Sequence, residues 1–129
     1  MANVVFDTNI YGKFIEDKDG LELVNKIVRD DKFIIHNFRL IRNELRKVPK
    51  ILGVYDRLVK TKVSQETKEI RDLAKEYYIK YRSLGGNKGL GIMNNDFKIV
   101  AFASIKNCDL VFSDDEKTLK SVNSIKAYR

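Results

Sequence analysis

"VVFDTNIYG", residues 4–12, runs an apolar segment straight into an acid. Val4, Val5 and Phe6 are β-branched or aromatic and suit a buried strand. Asp7, Thr8 and Asn9 follow, and a helical pattern begins at once. A first core strand over residues 2–7 therefore leaves through a carboxylate at its C-terminal end.

The rest of the chain alternates in the same way. Helical patterns follow, with a break near Gly20 before "LELVNKIV". "KFIIH" is a short β-branched run and reads as strand two. "NFRLIRNELRKV" is helical and stops ahead of Pro49, because a proline restricts the residue before it. "KILGVYDRLVK" reads as a further helix. "SQETKEIRDLAKEYYIKYRSL" is a longer one, with Ile70, Leu73, Ala74, Tyr77, Tyr81 and Leu84 in a stripe at helical spacing. It ends at Gly85-Gly86. "GGNKGLGIMNN" reads as a flexible loop, "NDFKIVAFASIKN" as a helix and "CDLVFS" as a strand. "DDEKTLKSV" is then a short helix and "SIKAY" a final strand. Strands separated by helices pair in parallel and give a layered α/β fold. Ligands bind such sheets outside the carboxyl ends of the strands, where Asp7 sits.

Three more acids occupy telling positions. At about 100° per residue, Asn37, Phe38, Ile41, Leu45 and Val48 share a helix face, and Glu44 lies on its edge. Arg39, Arg42 and Arg46 lie opposite. A rim pairing of Glu44 with Lys47 is the structural alternative. Asp96 heads a stripe of Ile99, Val100, Ala103 and Asn107, although Asn94, Asn95 and Asp96 are also good helix caps. Asp114 and Asp115 follow the strand "DLVF", where Ser113 and Glu116 match a capping box. Each acid alone has a structural role open to it. Together they converge on one sheet edge, provided that the helix bearing Asp96 starts there.

Several carboxylates at one point raise each other's pKa. A hard divalent cation with oxygen ligands, Mg²⁺ or Mn²⁺, relieves that repulsion. With one Cys and one His, the chain is poorly supplied for an ordinary zinc site. The formal charge of +7, from 25 basic against 18 acidic residues, favours a polyanionic partner, nucleic acid first. A carboxylate-held metal beside a basic surface suits phosphodiester hydrolysis by activated water.

At 129 residues, 43% of them hydrophobic, one domain over 1–129 is expected. No apolar run approaches the ~20 residues of a spanning helix, so no membrane association is expected. "MANVVFDTN" lacks the basic start of a signal peptide. The lone Cys108 forms no intramolecular disulfide and fits a reducing cytoplasm. "NKGLG" is not a phosphate loop. Asn9 in place of a second aspartate excludes the D-x-D of aspartyl-phosphate phosphatases.

These pieces resemble the PIN-domain family of metal-dependent ribonucleases, which includes the VapC toxins of toxin–antitoxin pairs. The resemblance spans nearly the whole chain. It rests on the strand ending in Asp7-Thr8-Asn9, Glu44 in the helix after strand two, and a D-x-x-I-x-A-x-A helix with Asp96, Ile99, Ala101 and Ala103. Ser113-x-Asp115 after a late strand completes it. It implies a three-layer PIN-like fold, a parallel central sheet with helices on both faces. It implies an endoribonuclease in which Asp7, Glu44, Asp96 and Asp115 hold Mg²⁺ or Mn²⁺. Ser113 would orient the site, Thr8 or Asn9 would support Asp7 by hydrogen bonding, and Asp114 is the alternative fourth acid. It also implies an RNA substrate, an antitoxin protein as partner and a homodimer, a common state in that family.

Other polar residues read as structural: His36 as a satisfied histidine, Lys88 as a solvated loop lysine, and Tyr77 and Tyr81 as packing residues with Tyr78 the exposed one. The arginine stripe reads as a solvated face. The rival functions are a non-catalytic RNA-binding module that retains the acids and a structure-specific DNA nuclease.

Overall fold

The computed structural model describes residues 1–113, apart from the side chains of Ile92 and Met93. β1 (Ala2–Phe6) lies between β2 (Phe33–Ile35) and β3 (Leu110–Phe112), and both neighbours are parallel to it. Val4 pairs with Ile35 on one side and with Leu110 on the other. β1 is central and its Val4 and Val5 have no solvent exposure. A parallel sheet covered on both faces needs such continuous apolar strands.

The strand period of two separates the faces of β1. Val4 and Phe6 line an apolar cavity with Ile10 of α1 (Thr8–Lys13), with Phe14 at the C-cap of that helix, and with Leu23 and Ile27 of α2 (Lys18–Arg29). On the other face lies α6 (Leu90–Ile105), against β1 and β3. Phe97, Ile99, Val100, Ala101, Phe102 and Ala103 of α6 are all buried. A helix apolar around its whole girth belongs between other layers, and α5 (Lys68–Ser83) covers its outer side. α3 (Arg39–Leu45) and α4 (Pro49–Leu58) pack on each other, on α1 and, for α3, on α6. The architecture is the expected α/β one, with helices on both faces of a parallel sheet.

Several boundaries differ from the sequence reading, each for a local reason. β1 stops at Phe6, because Asp7 caps α1. The break expected at Gly20 falls at Asp17, whose carboxylate caps α2 by accepting the Gly20 N–H at 2.8 Å. Gly20 lies inside the helix, at a position where a Cβ would sit 2.6 Å from the Phe14 carbonyl oxygen. Gly20→Ala, a change that improves helix propensity by about 1 kcal/mol, is therefore expected to destabilise the fold by about 1–3 kcal/mol. Urea unfolding checks this; an unchanged or raised midpoint would show that the α1–α2 turn yields freely.

The helix after β2 is shorter than its pattern, so Val48 is 44% exposed and Pro49 starts α4 at its first turn. Ser64 bridges to Phe38 in parallel fashion rather than opening a helix, and Thr67 caps α5. α5 ends as expected: Gly85 takes φ 95°, with Gly85 N–H on Arg82 O and Gly86 N–H on Tyr81 O. The loop expected over "GGNKGLGIMNN" is shorter, since α6 begins at Leu90. The helix and strand expected after Ser113 lie outside the described residues. Among the described residues no helix is long and apolar enough to cross a membrane.

Candidate active site

Parallel pairing brings the C-terminal ends of β1, β2 and β3 to one edge. Asp7 stands there, only 7% exposed. Its Oδ1 accepts the Thr8 backbone N–H at 2.7 Å and its Oδ2 accepts the Ser113 hydroxyl at 3.0 Å. The Asp7 N–H continues the β1–β3 ladder by donating to Phe112 O at 2.8 Å. The side chain is thus held at both oxygens by neutral donors.

Glu44 comes to this edge on the last turn of α3. Its residue surface is exposed, yet its carboxyl pKa is raised, first by partial burial and then by the Asp7 charge. The nearby Thr8 hydroxyl and the Lys47 ammonium oppose that rise. The Thr8 hydroxyl is buried and acts on Glu44 as a hydrogen-bonding group, with no partner in strict geometry among the described residues. Two carboxylates therefore act on each other at this edge, with the Thr8 hydroxyl beside Glu44.

A raised folded-state pKa means that the folded chain binds the proton more tightly than the unfolded one. Glu44 thus stabilises the fold fully below its ordinary value near 4.5, and that stability is lost as pH rises through the folded-state value. Glu44→Gln is expected to raise the melting temperature in EDTA near neutral pH, with the gain vanishing below about pH 4. A lower melting temperature for the variant near neutral pH would contradict the Asp7–Glu44 repulsion.

Asp96 is half-buried in the second turn of α6. It is not the cap of that helix, since the N-cap of α6 is Gly89. α6 feeds β3 and runs antiparallel to it, so its N-terminal half returns toward the carboxyl edge. Even so, the described residues contain no group of three or more His, Cys, Asp or Glu side chains arranged to hold a metal ion. Asp7 and Glu44 are brought together, and Asp96 does not close them into such a group. Asp114 and Asp115 lie outside the described residues, one and two positions beyond the Ser113 that bonds Asp7. Asn9 is exposed on α1. Thr8 supports Asp7 through its backbone N–H.

The residues read as structural are held by local partners. His36 Nε2 is 3.0 Å from Asn3 Oδ1, and burial, then Lys106, lower its pKa. Arg42 pairs with Asp56 at 3.2 Å. Tyr78 is half-buried rather than exposed, its hydroxyl donating to Lys88 O at 3.3 Å. The hydropathy pattern missed two buried hydroxyls behind the acids, Tyr11 and Tyr55. The available signal was spacing: Tyr11 is four residues after Asp7 and shares its helix face.

Oxygen-only donors and mutual carboxylate repulsion fit a hard divalent cation that keeps several waters; Mg²⁺ is often held by one or two protein carboxylates. Fold and site together define an α/β protein with paired acids at the carboxyl edge of its parallel sheet. No family model matches the chain, and no curated protein matches it significantly. Among solved structures, its fold is similar to a chain in the crystal structure of VapBC2 from Rickettsia felis bound to a DNA fragment from their promoter. The TM-score is 0.59 at 15% identity, with 92% of each chain covered. That likeness is one of fold, and it agrees with the PIN-like architecture expected from the motifs.

Proposed function

We propose that the chain is a single-domain, Mg²⁺- or Mn²⁺-dependent endoribonuclease. The observation that carries this is the Asp7–Glu44 pair at the carboxyl edge, where the charge of Asp7 raises the Glu44 pKa. Asp7 and Glu44 would hold the metal, Asp96 would bind through water, and Asp115 would add a carboxylate from the segment after Ser113. The bound ion would supply an activated water and neutralise charge on the scissile phosphate. Asp7 keeps a fixed orientation through Thr8 and Ser113, so its carboxylate stays aimed at the edge. Lys47, beside Glu44, and the net charge of +7 favour a polyanion there.

The fold likeness to a VapBC2 chain supports a toxin role with an antitoxin protein as partner. A cytoplasmic location and a homodimer belong to the same reading. The test is cleavage of labelled single-stranded RNA with Mg²⁺, Mn²⁺ or EDTA, beside a matched DNA flap. EDTA-sensitive cutting of RNA is the expected result. Cutting of the flap alone would make the chain a DNA nuclease. RNA binding without cutting, and without calorimetric Mn²⁺ binding, would make it a non-catalytic RNA-binding module.

A further inference from the structure

Behind the acidic pair lie two tyrosines with no solvent exposure, Tyr11 of α1 and Tyr55 of α4. Their ring centroids are 4.9 Å apart, edge to face at 68°. The Tyr11 hydroxyl has no hydrogen-bond partner among the described residues. Burial, then the charges of Tyr55 and Asp7, push its pKa up. The Tyr55 hydroxyl works on α3 instead. It accepts the Phe38 N–H at 3.0 Å and donates to Asn37 Oδ1 at 2.7 Å, with Phe38 O farther off at 3.3 Å.

Those contacts matter because α3 has no side-chain cap at its start. Phe38 is the N-cap residue and is fully buried, so water cannot replace a lost partner for its N–H. The helix is short, and Glu44 sits six residues on, about 9 Å along the axis. A shift at Phe38 is passed to Glu44 with little damping. Tyr11 meanwhile sits one turn along the helix that Asp7 caps.

We infer that Tyr55 is a positioning residue: its hydroxyl fixes the start of α3 and its ring, seated on Tyr11, keys α3 to α1, so that the two tyrosines set the spacing of Glu44 from Asp7. The functional consequence rests on the metal-site reading above; the geometry does not. A tyrosine is needed because phenylalanine fills the same space but leaves Phe38 N–H and Asn37 Oδ1 unpartnered.

Two measurements test this on the whole chain. Tyr55→Phe is expected to weaken Mn²⁺ binding about tenfold by calorimetry, the size of effect seen when supporting contacts behind a metal ligand are removed. Tyr81→Phe is the control; it loses a comparable bond from Lys88 N–H, 3.0 Å, on α5, and its Mn²⁺ affinity should be unchanged. Equal affinity in Tyr55→Phe and wild type overturns the inference. If wild type binds no Mn²⁺, the metal reading fails and the second measurement decides. In EDTA, Asp7→Asn and Glu44→Gln should be non-additive in the unfolding constant by about twofold or more, and additive in the Tyr55→Phe background. Additivity in wild type, or non-additivity unchanged by Tyr55→Phe, overturns the inference. Should Tyr55→Phe not fold, Tyr11→Leu removes the ring on which Tyr55 is seated and takes its place, with the same outcomes supporting or overturning the inference.

Discussion

Asp7→Asn is expected to lower metal-stimulated RNA cleavage about a thousandfold while leaving the fold intact. The two halves of this prediction come from different properties of one side chain. As a cap, Asp7 needs an oxygen for the Thr8 N–H, and asparagine supplies one equally well. Its amide can also meet the Ser113 hydroxyl that now donates to Oδ2, since a hydroxyl both donates and accepts. The charge is what asparagine removes. A metal at the site provides several kcal/mol of transition-state stabilisation, and each 1.36 kcal/mol is a factor of ten in rate.

The stability of Asp7→Asn should match or exceed that of wild type in EDTA, because the charge acting on Glu44 is gone. Added Mg²⁺ should raise the melting temperature of wild type only. Single-turnover cleavage and thermal unfolding on identically prepared proteins check both halves. An Asp7→Asn protein that cuts RNA as wild type does would sink the assignment of the site. One that is unfolded would mean that the charge, and not only the capping oxygen, holds the first turn of α1.

What the sequence made legible follows from where chain geometry is local. The β1–α1 junction was readable because an apolar strand and a helical pattern are neighbours in sequence, although the strand pattern runs one residue too far and the capping role of Asp7 was not read. The α5 stripe was readable because Ile70, Ala74, Tyr77 and Tyr81 are spaced for one face, and all four are buried. The rule that parallel strands share a carboxyl edge brought the acids after the last strand toward Asp7; the bond from Ser113 was expected only from the PIN-domain resemblance. The start of α6 was not legible. Gly89 and Gly91 look like loop residues, and a helical glycine costs about 1 kcal/mol. Burial of the Phe97–Ala103 segment, between α5 and the sheet, outweighs that. Asp96 was consequently misjudged as a helix start, whereas it lies a turn inside. The roles of Tyr11 and Tyr55 were hidden for another reason: a hydropathy pattern counts tyrosine as core and says nothing about where its hydroxyl goes.

Phe102→Ala is expected to cost about 3–5 kcal/mol, the range for a large aromatic removed from a packed interior. Phe102 and Phe38 are both without solvent exposure, and their rings stack with centroids 4.2 Å apart and planes 4° from parallel. Phe102 also meets the edge of His36 at 6.4 Å, so one ring ties α6 to the end of β2 and to the start of α3. Total stability for a chain of this size is about 5–15 kcal/mol. The loss should therefore lower the urea midpoint by about 1.5–2.5 M for a slope near 2 kcal/mol/M. Phe102→Leu, which keeps most of the volume, should lose less than half as much. The damage should not stay in the core. Phe38 is the residue whose N–H Tyr55 holds, and it begins the helix that carries Glu44. Phe102→Ala should then weaken Mn²⁺ binding even under conditions where the variant remains fully folded. A loss below about 1 kcal/mol in the urea series would show that the α6–α3 contact is not what anchors that helix, and the positioning of Glu44 would have to come from α4 alone.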